Sequence, residues 1–395
     1  MIPPPQRLRP DAPFGVLDVS EYFGASSGGV RTYLLQKRRF VADHPGLRQV
    51  LVTPGAHDAV HDEPGSRWYQ LRGPAIPFQP SYRFLLATRS VRRIIDRERP
   101  DLIEVGSSYF APWVGHHARR HVEVPVVWFY HANLPRLALP GRARERTIGR
   151  AVVRGVERYV RHIGRVVDAT LAASDFSARE LARCGVDRVH RVTLGVDTAR
   201  FHPGRRAARE AVRKALGVAD GPLVGFVGRF AEEKHVADLV AAWPAIERAT
   251  GGTLVLAGHG PAEPHLRAAA AGRRIRFLPF ERDRDALANL LAALDLYLSP
   301  APYETFGLAV CEALACGTPV LSVDHGAAAE LVRHSGGGAL APVADPAALA
   351  RAAIAVLDAP RGPLSDRARA YVEREHAWPA ALGRLFATYR QVMAA

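Results

Sequence analysis

Three short segments carry residues whose types and spacing could do chemistry. Gly28-Gly29 stands between an apolar run, FGVLDV (14–19), and a helix-like stretch, VRTYLLQKRRFVADH (30–44). Paired glycines let the backbone approach a ligand closely, and a following helix offers free N–H groups to an anion. The segment is neither GxGxxG nor a P-loop, and a plain turn explains it equally well on its own. Arg229 and Lys234 lie five residues apart in GRFAEEK (228–234), at the end of the run PLVGFVGR. Across a strand-to-helix loop both could reach a diphosphate, Arg as a planar fork and Lys as a point charge. The plain alternative is a solvated loop in which they pair with Glu232 or Glu233. The third segment is the most informative: Glu304-Thr305-Phe306-Gly307-Leu308 runs on to Glu312 after the strand-like LDLYLSP. Gly307 lets the chain turn into the helix LAVCEALAC, which ends at Gly317 before Pro319. The amides of Gly307 and Leu308 then lie at a helix N-terminus, where a phosphate is stabilised. Glu304 precedes the turn and Glu312 is one helical turn past Leu308, so both carboxylates can border one pocket and accept hydrogen bonds from sugar hydroxyls. The plain alternative is a helix N-terminal Glu followed by an exposed helical one.

These segments need a scaffold, and the apolar pattern supplies it. Strand candidates are 14–19, 48–53, 101–106, 125–131, 169–174 and 190–195, separated by helical stretches such as 30–44 and 83–98. Ser177 and Glu180 have capping-box spacing at a helix start. The alternation restarts with 222–229, 252–260, 275–280, 294–300 and 318–323. Continuous apolar strands alternating with helices are the pattern of parallel sheets covered on both faces. The fold expected is α/β: two Rossmann-like, doubly wound parallel-sheet domains facing across a cleft, with ligands at the carboxyl ends of the strands. The polar, Pro/Gly-containing stretch 194–204 divides them. The expected boundaries are 1–196 and 197–375, with a helix over 376–395 packing back toward the first domain through Trp378 and Tyr389.

Composition excludes several function classes. The chain has 395 residues, 48% hydrophobic and 23% charged, which fits a globular protein and not a disordered or collagen-like one. Three cysteines form no disulfide framework and no CxxC pair. The opening MIPPPQRLRP has no apolar signal core, and no apolar stretch of membrane-spanning length occurs, so a cytoplasmic protein is expected. The net charge of +14 is unevenly spread: residues 1–200 carry 31 basic and 19 acidic side chains, the remainder 22 and 20. A positive half suggests an anionic partner. Arg146, Arg150, Arg154, Arg158, Arg161 and Arg165 recur every three or four residues, within a longer arginine-rich run that includes Arg142 and Arg144. Their spacing predicts a single basic helix face that meets an anionic membrane surface or a lipid-linked pyrophosphate, unless it is simply a solvated helix.

GGV after the first strand, GRFAEEK, AGHGP, ETFGLAVCEALACGTPV and GAAAELV, in that order over nearly the whole chain, resemble the retaining, nucleotide-sugar-dependent glycosyltransferases of the GT-B fold, family 4 type. SGGVRTYL and FYHxxLPR are similar to a branch often assigned to α-mannosyl transfer. The resemblance implies that Gly28 and Gly29 border the distal donor phosphate, with Arg229 and Lys234 neutralising the diphosphate leaving group. It implies that Glu304 holds donor-sugar hydroxyls, Leu308 donates its amide to phosphate with Phe306 and Gly307 beside it in the donor site, and Glu312 binds ribose. Phe280 is the expected base contact, and His131 matches a family histidine beside the anomeric carbon. That branch often has Asp two residues after this histidine; here Asn133 stands instead, which leaves the role of the position open. Retention at the anomeric carbon is implied, and no cofactor is expected. No DxD lies beside the sugar-phosphate site, so neither is a metal. GDP-mannose is the first choice of donor, with a UDP-hexose or UDP-N-acetylhexosamine the alternative, and a glycan, small-molecule or lipid-linked acceptor. An oxidoreductase would need GxGxxG and a ribose-marking acid, a nucleic-acid module an aromatic-basic or zinc pattern, and a phosphorylase on this fold a lysine beyond Lys234; none is present.

Overall fold

The computed structural model describes residues 13–24, 28–76, 79–110, 112–114, 117, 123–138, 146–218 and 220–394. Ser26, Ser27, Arg142 and Arg144 fall outside the described residues. The first lobe contains β1 (Phe14–Val19), β2 (Leu47–Gly55), β3 (Ala59–Glu63), β4 (Ser66–Arg72), the short hairpin β5 (Ala75–Ile76) and β6 (Gln79–Arg83), then β7 (Leu102–Val105), β8 (Val126–Tyr130), β9 (Ala169–Ala172) and β10 (Val189–Arg191). Its main sheet has the order β10-β9-β8-β7-β1-β2-β4-β3 and is parallel except at the edge pair β3–β4. Helices α1 (Gly29–Ala42), α2 (Thr88–Glu98), α3 (Leu134–Leu137), α4 (Thr147–Val166) and α5 (Asp175–Arg183) lie between the strands.

The second lobe repeats the plan with β11 (Leu223–Val227), β12 (Thr253–Ala257), β13 (Ile275–Leu278), β14 (Leu296–Ser299), β15 (Val320–Val323) and β16 (Gly338–Ala341), all parallel in the order β13-β12-β11-β14-β15-β16. Its helices are α6 (Arg209–Leu216), α7 (Val236–Thr250), α8 (Glu263–Ala269), α9 (Arg284–Ala293), α10 (Leu308–Ala315), α11 (Ala327–Ser335), α12 (Pro346–Asp358) and α13 (Arg361–His376), and α14 (Trp378–Ala394) follows them. Strands β1, β7, β8 and β9 are buried along their whole length, as are β12, β14 and β15, which is why they read as mainly apolar runs, with Asp18 and Glu104 the charged exceptions.

Strand order reverses between β1 and β7 in one sheet and between β11 and β14 in the other. At such switch points neighbouring loops diverge to opposite faces and leave a crevice at the strands' carboxyl ends. Gly28-Gly29 follows β1, Arg229 follows β11 and Glu304 follows β14, so all three chemical segments border these crevices.

The chain crosses between lobes twice, side by side. Val196 pairs with Ala377, its N–H bonding the His376 carbonyl at 2.7 Å. Arg369 ties down the carbonyls of Thr198 and Phe201. The stretch expected to be a linker is thus a fixed crossing. Beyond the second crossing, α14 returns to the first lobe, where Phe386 meets Phe14 and Phe40.

Four local expectations need correcting. The helix expected over 83–98 starts only at Thr88, because Arg83 closes the β5–β6 hairpin. The helix start near Ser177 is capped by Ser174, whose hydroxyl accepts the Ser177 N–H; Ser177 itself is inside α5. Arg146 is the residue before α4, not part of the helical face. Finally, β3 to β6 and β16 were not expected at all. Most of β3 is exposed and polar, and β16 is GALA, so neither presents the bulky apolar run by which the others are recognised.

Candidate active site between the lobes

The carboxyl ends of β11 and β14 gather most of the expected residues. The Lys234 ammonium lies 2.5 Å from a Glu304 carboxylate oxygen, each side chain a quarter exposed. Tyr297 of β14, paired in register with Gly225 of β11, donates its hydroxyl to the Val227 carbonyl. Burial raises the phenol's pKa, and the charges of Glu304 and Glu312 raise it further. Glu312, on α10, is only 3% exposed and is held by the Arg284 guanidinium at the start of α9. Burial pushes its carboxyl above the usual range, and Arg284 opposes the shift. Arg284 in turn lies over the Phe201 ring at 4.9 Å. Sequence reasoning missed Arg284, since no spacing distinguishes it from Arg276 or Arg282.

Gly307 adopts the left-handed region at φ 89° and starts α10 without a side-chain cap, so the first amides of the helix, Leu308 among them, have no capping acceptor. Those amides are chemically suited to an anion. Phe306 is different: its ring is 5% exposed and packs 5.6 Å from His376 in the core, so only its backbone belongs to the turn. Arg229 is half exposed and pairs with Glu233, the partner its plain alternative named. Phe280, 38% exposed beyond β13, meets His259 edge-on at 5.7 Å. His259 lies between Gly258 and Gly260, where a Cβ would strike the backbone of Gly228 and Phe230 respectively. The loops after β11 and β12 are therefore pressed together by the AGHG segment.

From the first lobe, Gly28 precedes α1 with no side-chain cap, and a Cβ on Gly28 or Gly29 would meet nothing within 4 Å among the described residues. Packing does not require these glycines. His131 follows β8, stacked on Phe129 at 4.3 Å and near Tyr33 at 5.6 Å. Its Nε2 is shielded from solvent and has no hydrogen-bond partner among the described residues. Burial, aided by the nearby Lys37 charge, lowers the imidazole to about 3, so the ring is neutral at physiological pH. Asn133 caps α3 by accepting the Arg136 N–H and donates to Glu180 at 3.1 Å; it is a structural link.

The two lobes meet directly. Thr305 donates to the His131 carbonyl at 2.8 Å, Arg136 lies 4.5 Å over the Tyr303 ring, and Arg179 pairs with Glu330 at 2.7 Å. A hollow lined by Phe176, Arg179 and Arg183 on one side and His325, Glu330 and Arg333 on the other lies between α5 and α11.

The chain is 34% identical over 329 residues to the GDP-mannose-dependent alpha-(1-6)-phosphatidylinositol dimannoside mannosyltransferase of Mycobacterium tuberculosis, covering 82% of each. Residues 27–200 match the family model Glycosyltransferase Family 4, and residues 221–359 match Glycosyl transferases group 1. The chain is a family 4 glycosyltransferase. This glycosyltransferase is also 32% identical to the 2-deoxystreptamine N-acetyl-D-glucosaminyltransferase of Streptomyces fradiae, over 85% of the chain and 84% of that protein. Sucrose-phosphate synthase from Thermosynechococcus elongatus shares its fold, with a TM-score of 0.77 and 23% identity over 96% of this chain and 99% of that one. The enzyme is thus a nucleotide-sugar-dependent glycosyltransferase with two Rossmann-like GT-B domains facing across a cleft. No described helix is long and apolar enough to cross a membrane.

Proposed function

We propose that this glycosyltransferase moves mannose from GDP-mannose, with retention at the anomeric carbon, to a lipid-linked or glycan acceptor. The observation that carries the proposal is the Lys234–Glu304 contact beside the uncapped tip of α10, at the switch point of the second sheet. Breaking the sugar–phosphate bond builds negative charge on the departing diphosphate. Lys234 and the amides of Gly307 and Leu308 stabilise that charge from fixed positions, joined by Arg229, with Gly28 and Gly29 closing over the distal phosphate. For Arg229 this requires release from Glu233, a contact an exposed side chain exchanges at little cost. Glu304 accepts sugar hydroxyls, Glu312 the ribose hydroxyls, and Phe280 borders the base. The neutral His131 imidazole offers Nε2 to the sugar beside the anomeric carbon. Cations and amides do the work a metal would do, so transfer proceeds in chelator.

The mannosyl donor follows the mycobacterial relative's name. A UDP-N-acetylhexosamine is the second reading, on the strength of the Streptomyces relative's N-acetylglucosaminyl transfer. The acceptor side favours a peripheral position at an anionic membrane. Arg150, Arg154, Arg158, Arg161 and Arg165 are all exposed on α4, and Leu86, Tyr109, Leu137, Ile148, Val152 and Tyr159 expose apolar surface on the same lobe.

The test is nucleotide release from a panel of nucleotide sugars. GDP-mannose is expected to be the best donor, and Glu304→Ala to lower kcat by about 100-fold or more, the scale of losing one preorganised interaction with the transition state. Turnover of no nucleotide sugar, or full activity in Glu304→Ala, contradicts the proposal.

A further inference from the structure

Three hydrogen bonds join the first lobe to one residue of the second, and that residue is the neighbour of Glu304. The Thr305 hydroxyl donates to the carbonyl of His131 at 2.8 Å. The Thr305 carbonyl accepts from the hydroxyls of Ser174 at 2.8 Å and Ser177 at 3.0 Å. Both serines are buried, at 5% and 0% exposure, and Ser174 also caps α5. On its other side the loop is fixed by the Lys234–Glu304 contact and by the Ala327 N–H, which donates to the Glu304 carbonyl at 3.0 Å.

We infer that Thr305 is a positioning residue that makes closure of the two lobes and alignment of Glu304 with His131 a single event. The inference rests on the proposal that Glu304 and His131 flank the donor sugar. Glu304 belongs to the second lobe and His131 to the first, so their spacing is undefined until the lobes meet. Thr305 joins them by the shortest route available: its backbone continues from Glu304, and its hydroxyl grips the backbone of His131 itself. If the lobes part, all three bonds break together, and two buried serine hydroxyls and a carbonyl must be hydrated instead. Alignment of the reacting groups is thereby tied to a cleft from which water is displaced. The hydroxyl is engaged by the His131 carbonyl, so its removal acts on the closed arrangement and leaves in place the donor contacts proposed for the second lobe, those of Lys234, Glu304 and the first amides of α10.

The experiment is steady-state kinetics on the full chain with GDP-mannose, for wild type, Thr305→Val, Thr305→Ser and Ser174→Ala/Ser177→Ala, with melting temperatures alongside. Thr305→Val keeps the shape and removes the donor, and kcat is expected to fall about tenfold, the scale of one or two lost hydrogen bonds. The donor KM is expected to change less than threefold. Thr305→Ser is expected to restore kcat, and the double serine variant to reproduce the loss. Wild-type kcat in Thr305→Val, failure of Thr305→Ser to restore it, or a rise in KM alone overturns the inference while wild-type turnover leaves the donor assignment standing. Absence of wild-type turnover with every nucleotide sugar overturns both.

Discussion

Lys37 is wholly buried in the first lobe, with its ammonium 2.6 Å from Asp18, 3.5 Å from Glu104 and 2.7 Å from the Tyr389 hydroxyl. Gln49 donates to the second Asp18 oxygen at 2.6 Å, and Tyr33 and Tyr389 both donate to Glu104. One cation faces two carboxylates here, and burial lifts the Glu104 carboxyl to about 7 although Lys37 pulls it down. Since the folded pKa lies above the unfolded value of about 4.3, the native chain holds a proton that the unfolded chain has lost. The group's stabilising contribution is therefore full below the unfolded value and is lost as pH rises through about 7. Glu104→Gln, which mimics the protonated carboxyl, is expected to flatten the decline in urea-measured stability between pH 4.5 and 7. An unchanged slope would contradict this account. Legibility at this scale divides along sequence distance. Glu304, Gly307 and Glu312 could be singled out because one short strand-to-helix segment carries them, and Lys234 because it lies in the loop that follows a strand. The cluster of residues 18, 37, 104 and 389 was invisible, as was Arg284, because only tertiary packing brings such distant charges together.

Among the elements, α4 has the most testable chemistry. Gly149, Val160 and Ile163 are buried against the lobe, whereas Arg150, Arg154, Arg158, Arg161 and Arg165 are exposed, with Arg161 also reaching the Cys184 carbonyl. An arginine near an anionic lipid surface contributes about 1 kcal/mol. Replacing Arg150, Arg154 and Arg158 by Gln is thus expected to weaken binding to phosphatidylglycerol vesicles at low salt by about 100-fold in co-sedimentation, without changing nucleotide-sugar hydrolysis. Equal partition of wild type to anionic and neutral vesicles would remove the membrane role. The buried strands of both sheets were legible because burial on two faces demands continuous apolar residues. The edge strand β3 was not, because it faces water and keeps polar residues. The cap of α5 was displaced by about one turn because only Ser177 has a Glu three residues on, while the hydroxyl that accepts the Ser177 N–H is that of Ser174.

At the scale of the whole molecule, two adjacent crossings, Val196 and Ala377, connect the lobes. Trp378 sits beside them, and a Cβ on Gly195 would come within 2.6 Å of its ring. From there α14 anchors in the first lobe, through Phe386 and Tyr389, a chain that began the crossing in the second. Relative movement of the lobes must pivot at these strands, while the cleft face is closed by Thr305, Arg136 and Arg179. The division into two Rossmann-like units was legible from the restart of the strand–helix alternation; the contacts that lock them were not, since they join residues more than a hundred positions apart. The central claim is that Lys234 holds the diphosphate and Glu304 the sugar. Calorimetric titration of GDP and of GDP-mannose into wild type, Lys234→Ala and Glu304→Ala separates the two roles. Lys234→Ala is expected to weaken both ligands, by about 10- to 100-fold, the scale of one lost charge-assisted hydrogen bond. Glu304→Ala is expected to weaken only GDP-mannose and to leave GDP equal or tighter, because the lysine is freed from its carboxylate. Undiminished binding of both ligands by Lys234→Ala, or an equal loss of GDP and GDP-mannose in Glu304→Ala, would contradict it.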